Sequence, residues 1–208
     1  MAIQELSEPL QKMIDNDELR IVTQDEGAGT TLIKNWVIAW LHSGNKSKMM
    51  AVFDKDLAGG KAFQEIKNNT LYASQNQKTS VKVIQLELSK NIIELYRAKL
   101  HIPIEIEHLL SPQVWKKAIE KKYTTPRTAI ELLNAYKGQQ PRDKSIDFIL
   151  DEKIDDSEIR ETIANYNPHE YKKMEFCKMV EQMYYEENVK DIFWGGDKTI
   201  LKIEQFFT

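Results

Sequence analysis

The chain of 208 residues has one cysteine, Cys177, so no internal disulfide can form and a reducing cytoplasm is the simplest compartment for it. No apolar run approaches the ~20 residues of a membrane span. The opening Met1-Ala2-Ile3-Gln4-Glu5-Leu6-Ser7-Glu8 lacks the basic and apolar regions of a signal peptide. A cytoplasmic protein without a membrane partner is therefore expected. The histidines His42, His101, His108 and His169 show neither His-x-His nor His-x-x-x-His spacing, which argues against zinc. Positive charge is not in excess either. Lys and Arg number 29 against 32 Asp and Glu, a net charge of −3, which argues against an extensive nonspecific nucleic-acid groove. A metal-dependent phosphodiester site stays open, because acidic ligands lower the formal charge and bound cations invert the local field.

What is present describes an ordinary soluble fold, 41% apolar and 29% charged, long enough for one domain or one domain with an appendage. Residues 3–17 carry a helix-like apolar period through Ile3, Leu6, Leu10, Met13 and Ile14. Leu19–Thr23 reads as a short strand, followed by a small-residue loop over Gln24–Thr31 that holds Glu26. An amphipathic helix over Leu32–Leu41 follows, with Trp36 and Trp40 spaced i, i+4. Met49–Phe53 is a second strand, 58–73 a helix and Val81–Leu86 a third strand. Strands alternating with helices predict a parallel βαβ sheet. Ile102–Glu107 looks extended, with Glu105 and Glu107 on one face. From Ser111 the pattern is mostly helical, over about 126–137, 156–165, 170–186 and 197–207. The acidic stretch 143–161 reads as a solvated face or loop, and Cys177, at helical spacing, as a small buried hydrophobe.

The chemistry concentrates where the strand Met49–Phe53 ends. Asp54-Lys55-Asp56 follows it, and Leu57-Ala58-Gly59-Gly60 opens a helix. Side chains i and i+2 of extended chain point the same way, so Asp54 and Asp56 project together from the carboxyl edge of the sheet, where open α/β folds bind ligands. Two hard oxygen donors there suit Mg²⁺ or Mn²⁺. Asp56 is equally placed to cap the helix. Glu26 stands at the corresponding edge after the first expected strand, so the three carboxylates converge in this reading. Gly27-Ala28-Gly29-Thr30-Thr31 lacks the Gly-Lys-Ser/Thr ending of an NTP-binding loop.

Glu26-Gly27 after one strand, and Phe53-Asp54-Lys55-Asp56-Leu57-Ala58-Gly59 after a later one, resemble the Toprim (topoisomerase–primase) domain family. The resemblance covers about residues 18–110. Glu105-Ile106-Glu107-His108-Leu109-Leu110-Ser111-Pro112 and Lys172-Lys173-Met174-Glu175-Phe176 are similar to segments of its OLD-type nuclease branch. An Asp that the family often carries after Glu-Gly is replaced here by Thr30 and Thr31. The resemblance implies an α/β fold, a Toprim-like parallel sheet flanked by helices over 1–110, with an α-helical extension over 111–208. It also implies Asp54 and Asp56 as metal ligands, and Glu26 as ligand or general acid/base. Glu107, with Glu105 assisting, would serve a second metal, and Lys173 would neutralise the transition state.

The expected activity is Mg²⁺- or Mn²⁺-dependent cleavage of DNA or RNA by a stand-alone Toprim protein, in defence or nucleic-acid processing. A partner ATPase or a homo-oligomer is compatible with that branch. The alternative is a noncatalytic Toprim-like module binding nucleic acid or a partner ATPase. A phosphohydrolase of the haloacid dehalogenase type fits less well, because its Asp-x-Asp continues into Gly-Thr at the first strand.

Overall fold

In the computed structural model the described residues are 7–22, 29–74, 80–140, 143–186, 192–194 and 197–208. The chain divides into two compact units. The first comprises Met1–Glu87, Pro103–Glu105 and Asp197–Thr208, and the second Leu88–Ile102 and Ile106–Gly196. The expected division fell at residue 110; the contacts divide the chain after Glu87 and return the last helix to the first unit.

In the first unit, α1 (Glu8–Asp15) starts at Ser7, whose hydroxyl accepts from the Leu10 N–H. Its end folds back, with the Glu18 and Leu19 N–H groups both donating to the Met13 carbonyl and Asp17 at positive φ. The strand expected over Leu19–Thr23 is absent from its described residues 19–22, where Ile21 and Val22 are exposed. The backbone there has no strand to pair with among the described residues, and an unpaired apolar segment gains nothing from β-branched composition alone.

Helix α2 (Gly29–Ser43) buries Val37 and Leu41, one turn apart, and Gly44 at φ +64° turns the chain out of it. Strand β1 (Met49–Phe53) leads into α3 (Leu57–Lys67), α4 (Thr70–Ser74) and β2 (Val81–Gln85). The expected single helix over 58–73 is thus two, with Asn68 ending the first and the Asn69 side chain accepting from the Leu71 N–H at the start of the second. β1 and β2 pair in parallel from Met49↔Val81 to Phe53↔Gln85, the βαβ unit that the alternating pattern predicts. Ala51, Phe53, Val81 and Val83 face Val37 and Leu41 of α2 and Ala62 and Ile66 of α3 in one apolar core. That core fixes which side of the sheet each later residue takes.

The second unit is built mainly from helices: α5 (Lys90–Arg97), α6 (Pro112–Glu120), α7 (Ala129–Ala135), α8 (Ile146–Lys153), α9 (Ser157–Ile159) and α10 (Lys173–Glu186). A short antiparallel ribbon, β3 (Thr124–Pro126) with β4 (Tyr166–Pro168), joins them. The fully buried Trp115 of α6 meets Phe176 of α10 edge-on, with centroids 5.8 Å apart. The acidic stretch is a solvated face as expected: α8 buries Ile146, Ile149 and Leu150 and exposes Asp147, Asp151 and Glu152. Cys177 corrects another expectation, lying exposed on α10 because Phe176 and Met179 take the inward positions. The final helix α11 (Asp197–Phe207), at the length its periodicity predicts, belongs to the first unit. The chain is therefore mixed α/β, with a small parallel sheet flanked by helices. No described helix is long and apolar enough to cross a membrane.

Candidate metal-binding corner

Three hydrogen-bonding constraints hold the chain where β1 ends. The Leu86 N–H donates to the Phe53 carbonyl at 2.9 Å, and Gln85 Nε2 donates to the Asp54 carbonyl at 3.3 Å. Lys55 and Ile104 form a reciprocal backbone pair, Lys55 N–H to Ile104 carbonyl at 2.7 Å and Ile104 N–H to Lys55 carbonyl at 3.2 Å. This is an antiparallel bridge. Its register sets Glu105 opposite Asp54, a pair whose side chains leave the ribbon on the same side. Two carboxylates from distant parts of the sequence thus share one corner of the first unit.

Asp56 begins α3. Its Oδ1 accepts the Gly59 N–H at 2.6 Å, a charge-assisted cap at the positive end of the helix dipole. Gly59 is required there. A Cβ on it would lie 2.2 Å from the Asp54 carbonyl oxygen and 3.0 Å from Asp56 Oδ1. The Ala-Gly behind Asp-x-Asp therefore has a packing cause, the close seating of the helix on the strand end. The cap engages one oxygen of Asp56, and a carboxylate has two.

Glu107 and Lys173 lie in the second unit. The extended piece expected over Ile102–Glu107 stops at Glu105, and Ile106–Leu109 is a 3₁₀ turn. Glu105 and Glu107 therefore do not share a strand face. The turn is held by the Glu107 carbonyl, which accepts the Leu110 N–H at 3.1 Å and Trp115 Nε1 at 3.1 Å. Glu107 itself is buried, and Lys173 opens α10. Both are close enough to act on the Cys177 thiol, whose sulfur is partly screened from water although the residue as a whole is exposed: that partial burial pushes the thiol up, Glu107 adds to the rise and Lys173 opposes it. Glu26 lies outside the described residues. Among the described residues no group of three His, Cys, Asp or Glu side chains is disposed to hold a metal ion.

Two further groupings escaped sequence reasoning. His108, almost fully buried, places Nε2 3.3 Å from the Arg127 guanidinium. Glu87, just past β2, bonds to Lys202 of α11 and also feels Lys55 and Lys198, which together hold its carboxyl below the usual range. The i, i+4 spacing of Lys198 and Lys202 was the available signal for the second grouping; nothing local marked the first. Comparison with protein-family models, with curated proteins and with solved structures finds no match for this chain.

Proposed function

We propose that the chain is a Mg²⁺- or Mn²⁺-dependent nuclease that hydrolyses phosphodiesters of DNA or RNA on a Toprim-like α/β unit. The observation that carries this reading is the opposition of Asp54 and Glu105 at the carboxyl edge of the parallel sheet, with Asp56 two residues further on. Hard anionic oxygens at a sheet edge suit a small divalent cation. Such a cation, when bound, stabilises charge on the oxygens of an in-line displacement at phosphorus. Asp54 and Asp56 would hold it, with Glu105 beside Asp54 and Glu26 as ligand or general acid/base. Glu107 and Lys173 lie in the second unit, and the second-metal and charge-neutralising roles are those that the resemblance assigns them.

Labelled single- and double-stranded DNA and RNA, incubated with Mg²⁺, Mn²⁺ or EDTA beside Asp54→Ala, test the proposal. Metal-dependent cutting that the variant lacks supports it. No cutting of any substrate contradicts it and favours the second reading, a noncatalytic interaction module. That alternative draws on the Asp56 cap and on the absence of a three-ligand group among the described residues.

A further inference from the structure

One face of α11 carries Lys198, Lys202 and Phe206 at i, i+4 and i+8, a stripe about 12 Å long at 1.5 Å per residue. At the Phe206 end, Lys82 of β2 and Lys48 stand over the ring at 5.6 and 5.8 Å from its centroid. Lys48 also donates to the Phe207 carbonyl at 3.1 Å, where the negative end of the helix dipole favours a cation. At the other end Glu87 bonds to Lys202, with Lys55 and Lys198 close by, and the Glu87 N–H donates to Thr199 Oγ1 at 2.9 Å. So α11 runs antiparallel to the strands, with its lysine-bearing first turns at the carboxyl edge of the sheet. Lys55 lies between Asp54 and Asp56 in sequence, and strand alternation sends it to the opposite side from them, toward Glu87. Three lysines around one carboxylate make the Glu87 side of that edge locally positive, apart from the side that Asp54 and Asp56 take, in a chain whose formal net charge is −3.

We propose that Lys55, Lys198 and Lys202, continued along the helix by Lys82, form the surface that holds the phosphodiester backbone of a nucleic acid, with Glu87 as an internal counter-charge that backbone phosphates displace. The inference rests on the nuclease reading for its choice of ligand. Lys198 and Lys202, about 6 Å apart along the helix axis, with Lys82 one turn further on at Phe206, match successive phosphates better than a single small anion, and Lys-to-phosphate contact releases condensed counterions. Glu87 gives the surface a signature that a merely structural cluster lacks, because neutralising it should strengthen binding.

The test is fluorescence anisotropy of a labelled oligonucleotide, single-stranded and duplex, in EDTA over a salt series, so that binding is read without cleavage. The triple variant Lys55→Gln/Lys198→Gln/Lys202→Gln is expected to bind more than tenfold more weakly at ~0.1 M salt, where counterion release is worth a factor of about 5 to 8 per phosphate. Its log K against log salt should flatten by about 2 to 3. Glu87→Gln is expected to bind more tightly than the parent, and an unchanged circular dichroism spectrum and melt of the triple variant show that its loss of binding is not loss of fold. A triple variant that binds as the parent does, a Glu87→Gln that binds more weakly, or a parent that binds neither strand form overturns the proposal. Unchanged binding in the triple variant with Asp54-dependent cutting intact overturns this surface and leaves the nuclease reading standing. Lysine-dependent binding without cutting in any metal does the reverse.

Discussion

Gly59 sits against Asp54 so closely that an added methyl group would lie 2.2 Å from the Asp54 carbonyl oxygen. Its neighbour Gly60 has room: a Cβ there meets nothing nearer than Gln85 Nε2 at 3.8 Å. Gly59→Ala should therefore cost at least about 1–3 kcal/mol, the usual penalty for overpacking. Gly60→Ala, in a helix interior, should be neutral or stabilise by up to about 1 kcal/mol. Urea unfolding of the two variants checks the pair, and equal effects would contradict the close seating of α3 on β1.

Asp56 is both the cap of α3 and a candidate ligand, and two substitutions separate the roles. Asp56→Ala should lose about 0.5–2 kcal/mol of stability, whereas Asp56→Asn, an equally good cap, should lose little. Both should weaken Mn²⁺ binding. A stable Asp56→Asn that binds Mn²⁺ as the parent does would confine Asp56 to capping.

The Cys177 thiol, raised by burial and by Glu107 and lowered by Lys173, reports on the two second-unit residues. Glu107→Gln removes a negative charge and should make the thiol more acidic, so alkylation by iodoacetamide near pH 8 quickens. Lys173→Met should slow it. Rates that move in neither direction would show that the two residues do not face Cys177.

Glu87 gives a pH signature of defined sign. Its carboxyl lies below the usual range, chiefly through the bond to Lys202. A group depressed on folding adds stability above its unfolded pKa, and that stability is lost as pH falls through the folded value. Glu87→Gln should thus be slightly less stable than the parent at neutral pH, by at most about 1 kcal/mol for so exposed a pair. The difference should vanish in acid, as thermal melts at the two pH values will show.

Much of the site's framework was legible in the sequence. Met49–Phe53 and Val81–Gln85 carry β-branched and apolar residues bounded by turn signals, and the i, i+2 spacing of Asp54 and Asp56 marked the strand end. The i, i+3 and i, i+4 periods gave α11 at its observed length. Leu19–Thr23 misled because strand composition says nothing of whether a partner strand is at hand. Glu105 and Glu107 alternate like strand residues, yet the bond from Trp115 Nε1 to the Glu107 carbonyl helps to hold a 3₁₀ turn that begins at Ile106 and takes in Glu107. The Lys55–Ile104 bridge and the Glu87–Lys202 pair join residues far apart in sequence, and no local pattern encodes such contacts. Cys177 turned outward because Phe176 and Met179 claim the same helix's buried stripe.

The central claim is that the Asp54 corner binds a divalent cation. Calorimetric titration of Mn²⁺ into the parent, Asp54→Asn and Glu105→Gln, each checked for unchanged melting, tests it most directly. The account predicts saturable binding by the parent that Asp54→Asn abolishes and Glu105→Gln weakens. Saturable binding of equal affinity in all three proteins, or none in the parent, would contradict it.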